Sequence, residues 1–203
     1  MTFFFRSDRE RRLWGLTAVL LAAIYASLPF VRTVSDALRD RGQLATTILL
    51  ILGGCALLVV LAVIRRRPGW RQLSVLVAMG LVYAAFLPRL EQPEERMHLL
   101  EYGLVGALSF AALSERYRAG GNVGSSRRAR VKAGVLAILF TGCMGWIDEG
   151  IQYLLPRRFY DLRDVFFNFL AGALAVGGML ALEAARRRDR PVGVRSSDDQ
   201  QVP

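Results

Sequence analysis

Apolar residues in this chain come in long runs, and polar residues are pressed into the gaps between them. Six segments approach the roughly 20 helical residues that a hydrocarbon core about 30 Å thick requires. They cover residues 13–31, 44–64, 70–87, 97–113, 133–155 and 165–185. The third segment is the weakest, because its uncharged run of 72–88 is short, and a re-entrant or interfacial segment is the alternative there. The expected fold is all-α: a polytopic membrane helix bundle of about six transmembrane helices.

Charge turns this pattern into a topology. The chain has 203 residues, 53% of them hydrophobic, and a formal net charge of +10. A basic nucleic-acid binder gathers its cations on one face. Here the arginines flank the apolar runs, so no nucleic-acid partner is expected. Lys and Arg favour the cytoplasmic side of a membrane. If both termini are cytoplasmic, the inner pieces are 1–12, 65–71, 114–132 and 186–203, and they hold 19 of the 27 Lys and Arg residues. Every inner piece then carries more than any outer loop. The first apolar run, about 19 residues, is longer than a signal-peptide core, so it reads as a retained helix. Cys55 and Cys143 lie inside apolar runs without metal-type spacing and are expected to be packing residues.

Residues 114–132, "SERYRAGGNVGSSRRARVK", read as a flexible linker, and the tail 186–203 as disordered. A short internal repeat is visible between "LPRLEQPEERMHLLEYGLVGAL" and "LPRRFYDLRDVFFNFLAGAL". Aligned from the Gly-Ala-Leu end, it pairs His98 with Asp164, Tyr102 with Asn168 and Gly106 with Gly172. The two copies would run in the same direction.

The stretch "GWIDEGIQYLLPRRFYDLRDVFFNFLAG" (145–172) places many charges where helices should enter a bilayer. Residues three and four apart share a helix face. His98, Glu101 and Tyr102 then form one face; Asp148 and Gln152 form another, with Glu149 beside them; Asp161, Asp164 and Asn168 form a third. All three faces belong to the external end. At about 1.5 Å per residue, Asp148 lies below the outer headgroups. An ionised carboxylate facing lipid at that depth costs several kcal/mol, so it should face the bundle interior or a watery cavity. Arg157, Arg158 and Arg163 are the expected counter-charges. Asp161 or Asp164 also suits a helix N-cap. His98 with Glu101, Asp148 and Asp164 offers mixed N/O ligands, but no fixed metal signature is present, and no metal or cofactor is expected. Gly103, Gly106, Gly142, Gly145, Gly172, Gly177 and Gly178 read as close-packing positions.

The order "RMHLLEYGLVGAL", "DEGIQ", "RRFYDLRDVFFNFLAG" resembles the VanZ-like family of bacterial integral membrane proteins. The resemblance covers about residues 73–185 as a four-helix core. Residues 1–72 read as an N-terminal two-helix addition with a basic loop, and 186–203 as the cytoplasmic tail. The loop before His98 departs from the family's pattern: it is acidic, and Arg96 stands in for an expected basic residue. The resemblance implies a multi-pass protein of the cytoplasmic membrane and cell envelope, in a family whose namesake is associated with teicoplanin resistance.

The functional expectation is an external polar pocket that engages a lipid headgroup or lipid-linked envelope precursor, with the bilayer as its other partner. Tyr102, Gln152, Arg158, Asp164 and Asn168 would bind the ligand, Arg158 as an anion clamp. Whether a reaction follows is open; if one does, Asp148 or Glu149 is the general base and His98 a second acid/base. The alternatives are a small ion-coupled transporter, or a structural protein whose cluster is an ion-pair network.

Overall fold

A computed structural model of the chain describes residues 4–90, 93–120, 127–155 and 160–189. Among the described residues every regular element is helical: α1 (Asp8–Asp40), α2 (Leu44–Arg66), α3 (Trp70–Phe86), α4 (Pro93–Ala119), α5 (Arg127–Tyr153) and α6 (Leu162–Asp189), with a 3-10 turn at Leu87–Arg89. Six helices among the described residues are long and apolar enough to cross a membrane, as a multi-pass membrane protein requires. The third segment is an unbroken helix, not a re-entrant loop.

Several helices run past their apolar segments. α1 continues to Asp40 although its apolar run stops near residue 31. Arg32 and Arg39 lie 3.7 and 3.2 Å from the Asp36 carboxylate at i,i+4 and i,i+3 spacing, which supports a helix outside the hydrocarbon. Asp36 and Asp40 are therefore helical, not loop residues. The segment read as a flexible linker is mostly helix, since α4 reaches Ala119 and α5 starts at Arg127. An ion pair between Glu115 and Arg118 holds the last turn of α4. α6 likewise extends to Asp189, so Arg186, Arg187 and Arg188 are helical; residues 190–203 lie outside the described set.

α4, α5 and α6 pack against one another to form the centre of the bundle, and α1 lies along α4. α3 packs on α6, while α2 makes its main contacts with α4 and α1. α2 and α3 bury almost none of their apolar surface against protein, which suits helices facing lipid tails. Buried apolar clusters follow α4 along its length: Leu90, Leu99, Tyr102 and Ala171 at one end, Val105 with Leu21 and Ile24 in the middle, then Phe110, Ala133, Ala137 and Val176. Between them α4 crosses α6 at Gly106 and Gly172, so close that a Cβ on Gly106 would stand 2.8 Å from the Gly172 Cα.

The two ends of the bundle differ. At the basic end, the Arg116 guanidinium of α4 lies 2.9 Å from the fully buried Glu10 carboxylate of α1, and Arg71 of α3 donates to the Arg188 carbonyl of α6 at 2.7 Å. The first turn of α1 is capped there, with the Glu10 N–H donating to Ser7 Oγ at 3.1 Å. At the opposite end, the starts of α4 and α6 meet the end of α5, so α4 and α6 run in the same direction.

Candidate functional site

The end of α5 carries the site. Gly145, Asp148, Glu149 and Gln152 lie three and four apart and turn inward together. Asp148 is fully buried, and Glu149 and Gln152 are each 1% exposed. The exposed neighbours Trp146, Ile147 and Tyr153 cover the other side of the same turns. Burial of this polar face, and exposure of the apolar one, is the inverse of a water-soluble helix.

α4 supplies the opposite wall. His98 Nδ1 stands 3.7 Å from Asp148 Oδ2, and its side chain is 14% exposed. The His98 and Tyr102 rings stack one turn apart, with centroids separated by 6.2 Å. Tyr102 is fully buried, and its hydroxyl donates to the Met144 carbonyl at 3.4 Å. That carbonyl accepts a second bond, at 2.8 Å, from the Tyr25 hydroxyl of α1. Both phenols lie within electrostatic reach of the Asp148 carboxylate. Glu101 is half-buried on the same helix, within electrostatic reach of His98 and Asp148.

Glu149 reaches the beginning of α6. Its Oε1 accepts from the Gln152 carboxamide at 3.1 Å, and its Oε2 from the Asp161 N–H at 3.5 Å. Asp161 caps α6, its Oδ1 accepting the Arg163 N–H at 2.8 Å. It is therefore an N-cap just outside the helix and not part of an inward face. Asn168, two turns further, is fully buried and packs against Gly145, where an added Cβ would fall 2.5 Å from the Asn168 Cβ. Neither end of the Asn168 carboxamide has a hydrogen-bond partner among the described residues. Leaving such a group unmatched costs about 1–3 kcal/mol.

Six of the expected site residues thus gather at one end of the bundle: His98, Tyr102, Asp148, Glu149, Gln152 and Asn168. Asp164 is half-buried in the first turn of α6. Arg158 and Arg157 lie outside the described residues. Arg163, expected to neutralise the carboxylates, is exposed and holds its guanidinium over the Phe167 ring at 5.7 Å. Tyr25 was not expected at the site, because one tyrosine in a long apolar run carries no polar periodicity.

Chemically, the cluster combines a buried carboxylate pair, an imidazole, two phenols and two carboxamides. Such a set can hold a proton, orient a polar headgroup or accept a cation. Ligand atoms of His98, Asp148 and Glu149 all lie within 4.8 Å of one another, which makes this trio, without Glu101 or Asp164, able to hold a metal ion. Toward the basic end the polar set stops. The buried Ser109 and Thr141 hydroxyls donate back to their own helices, to the Gly106 and Ala137 carbonyls at 3.1 and 2.8 Å. Cys143 is exposed on the outside of the bundle and Cys55 half-buried, so neither is a core packing residue.

No family model matches the sequence, and no curated protein or solved structure shows significant similarity to it.

Proposed function

We propose that this chain is a VanZ-like integral protein of the bacterial cytoplasmic membrane, with both termini inside. Its buried polar cluster forms an outward-facing pocket for the headgroup of a lipid or lipid-linked envelope precursor. The observation that carries this reading is Asn168: a fully buried carboxamide with no hydrogen-bond partner among the described residues, packed on the same α5 face as Asp148 and Glu149. A pure ion-pair scaffold has no use for such a group, whereas a pocket has: it hydrogen-bonds the ligand. His98 opposite Asp148 can exchange a proton with a bound polar group, and Arg158 is the anion clamp of this proposal. The self-bonded Ser109 and Thr141 supply no polar lane toward the basic end, which weighs against transport.

The test is complementation of a deletion strain, scored by envelope phenotype including glycopeptide susceptibility. Asp148→Asn, Glu149→Gln and Asn168→Leu should each accumulate in the membrane at wild-type levels yet fail to complement. Asn168→Leu is the sharpest, because replacing an unmatched carboxamide by an apolar group of similar size should be neutral or stabilising to the fold. Asp36→Asn is the silent control. Full complementation by all three cluster variants would eliminate the pocket.

One observation favours a second reading. Glu149 bonds both Gln152 and the Asp161 N–H, stitching the end of α5 to the cap of α6. If that stitch is the purpose of the cluster, Glu149→Gln will lower the melting temperature in detergent and lower accumulation, and Asn168→Leu will complement fully.

A further inference from the structure

α2 and α3 follow one another in the chain yet barely touch. Toward the basic end their separation opens a cavity of about 890 Å³, closed behind by α4, α5 and α6. Its walls are of two kinds. Val59, Ala62, Val63, Leu76 and Leu182 give it an apolar lining, and six guanidiniums rim it, those of Arg9, Arg66, Arg118, Arg130, Arg186 and Arg187. Two carboxylates face them, Glu115 and Glu183. Glu115 is already engaged, 3.8 Å from Arg9 and paired with Arg118. Arg66, Arg186 and Arg187 have no ion-pair partner among the described residues.

From this arrangement we infer that the cleft between α2 and α3 is a binding site for an anionic phospholipid. A gap between helices that opens onto hydrocarbon fills with acyl chain, since lipid tails match its apolar wall and water does not. The occupant's headgroup then lies at the level of the arginines, which bind phosphate oxygens through paired N–H donors. Basic residues at the cytoplasmic boundary attract anionic lipid there. The recognised chemistry is a phosphodiester; the apolar wall is what assigns it to a lipid and not to free phosphate. This site is at the opposite end of the bundle from the proposed pocket and does not depend on it.

The experiment is native mass spectrometry of the full chain released from micelles doped with equal amounts of phosphatidylglycerol and phosphatidylcholine. Wild type should retain phosphatidylglycerol in preference by about tenfold or more. Arg66→Gln with Arg186→Gln and Arg187→Gln should abolish the preference. The same charge loss at the other end, Arg32→Gln with Arg39→Gln and Arg41→Gln, should leave it intact. Ala62→Trp, which fills the cleft without touching charge, should release the lipid and remains decisive if the triple arginine variant does not fold. Equal retention of both lipids by wild type, loss of preference in the control triple, or unchanged retention in Ala62→Trp would each overturn the site. Displacement of the lipid by excess inorganic phosphate, with a matching rise in melting temperature from phosphate alone, would overturn the assignment to lipid.

Discussion

Gly106 of α4 and Gly172 of α6 are pressed together where the two helices cross, and neither has room for a methyl group. A Cβ on Gly106 would stand 2.8 Å from the Gly172 Cα, and one on Gly172 the same distance from the Thr141 Cγ2 of α5. The three central helices therefore meet at one tight point. The same two glycines are paired when the two similar stretches of sequence are aligned from their Gly-Ala-Leu ends.

Gly106→Ala should accordingly lower stability by about 1–3 kcal/mol, the usual cost of overpacking, because the obstacle is backbone that cannot rotate away. Gly177→Ala is the comparison: nothing lies within 4 Å of its added Cβ. The check is unfolding in micelles followed by tryptophan fluorescence. Gly106→Ala should unfold earlier, and Gly177→Ala should match wild type.

Glu10 and Arg116 should behave as a coupled pair. Arg116→Gln strips the counter-charge from a fully buried carboxylate and leaves it the Arg6 N–H, at 2.7 Å, as its donor among the described residues, whereas the double variant with Glu10→Gln removes both charges. Breaking a buried pair costs more than deleting it. The Arg116 side chain is 42% exposed, which lowers the expected loss to about 1–3 kcal/mol. In thermal melts the double variant should be closer to wild type than Arg116→Gln alone. Additive losses would mean that the two residues act separately.

The proposed topology gives a labelling pattern. In a background lacking Cys55 and Cys143, a cysteine replacing the exposed Arg41 or Tyr160 should react with an impermeant thiol reagent on intact protoplasts. A cysteine replacing the exposed Arg127 should react only after lysis. The reverse pattern would put the polar cluster on the cytoplasmic side.

How far the sequence could be read depended on which physical signal each residue carries. Six apolar runs were enough to count the helices, because spanning length is a property of composition. The helix ends were misjudged where hydrocarbon stops and side-chain pairing takes over, as with Asp36 between Arg32 and Arg39. The inward face of α5 was legible because Asp148 and Gln152 repeat at one helical turn in an otherwise apolar run. Spacing offered Asp161 two roles, inward face or N-cap, and the structure has the cap: its backbone is outside the helix and its carboxylate accepts the Arg163 N–H. Tyr25 was invisible: its hydroxyl matters only because α1 packs beside Met144, and nothing local announces that packing.

The uneven greasiness of the helices has a consequence for how the protein is made. α2 has a mean hydropathy of 3.0 over its best window, while α4 and α5, which bear the polar cluster, reach 1.3 and 1.4. The helix that partitions most readily into lipid is thus not one that builds the site. Chains emerge from the ribosome N-terminus first. α1 emerges before α4, and in the finished fold it lies along α4 and bonds α5 through Tyr25. Glu149 gains the Asp161 amide only once α6 has emerged. Assembly of the cluster is therefore ordered in time, because the bond between Glu149 and the Asp161 amide must wait for the chain beyond α5.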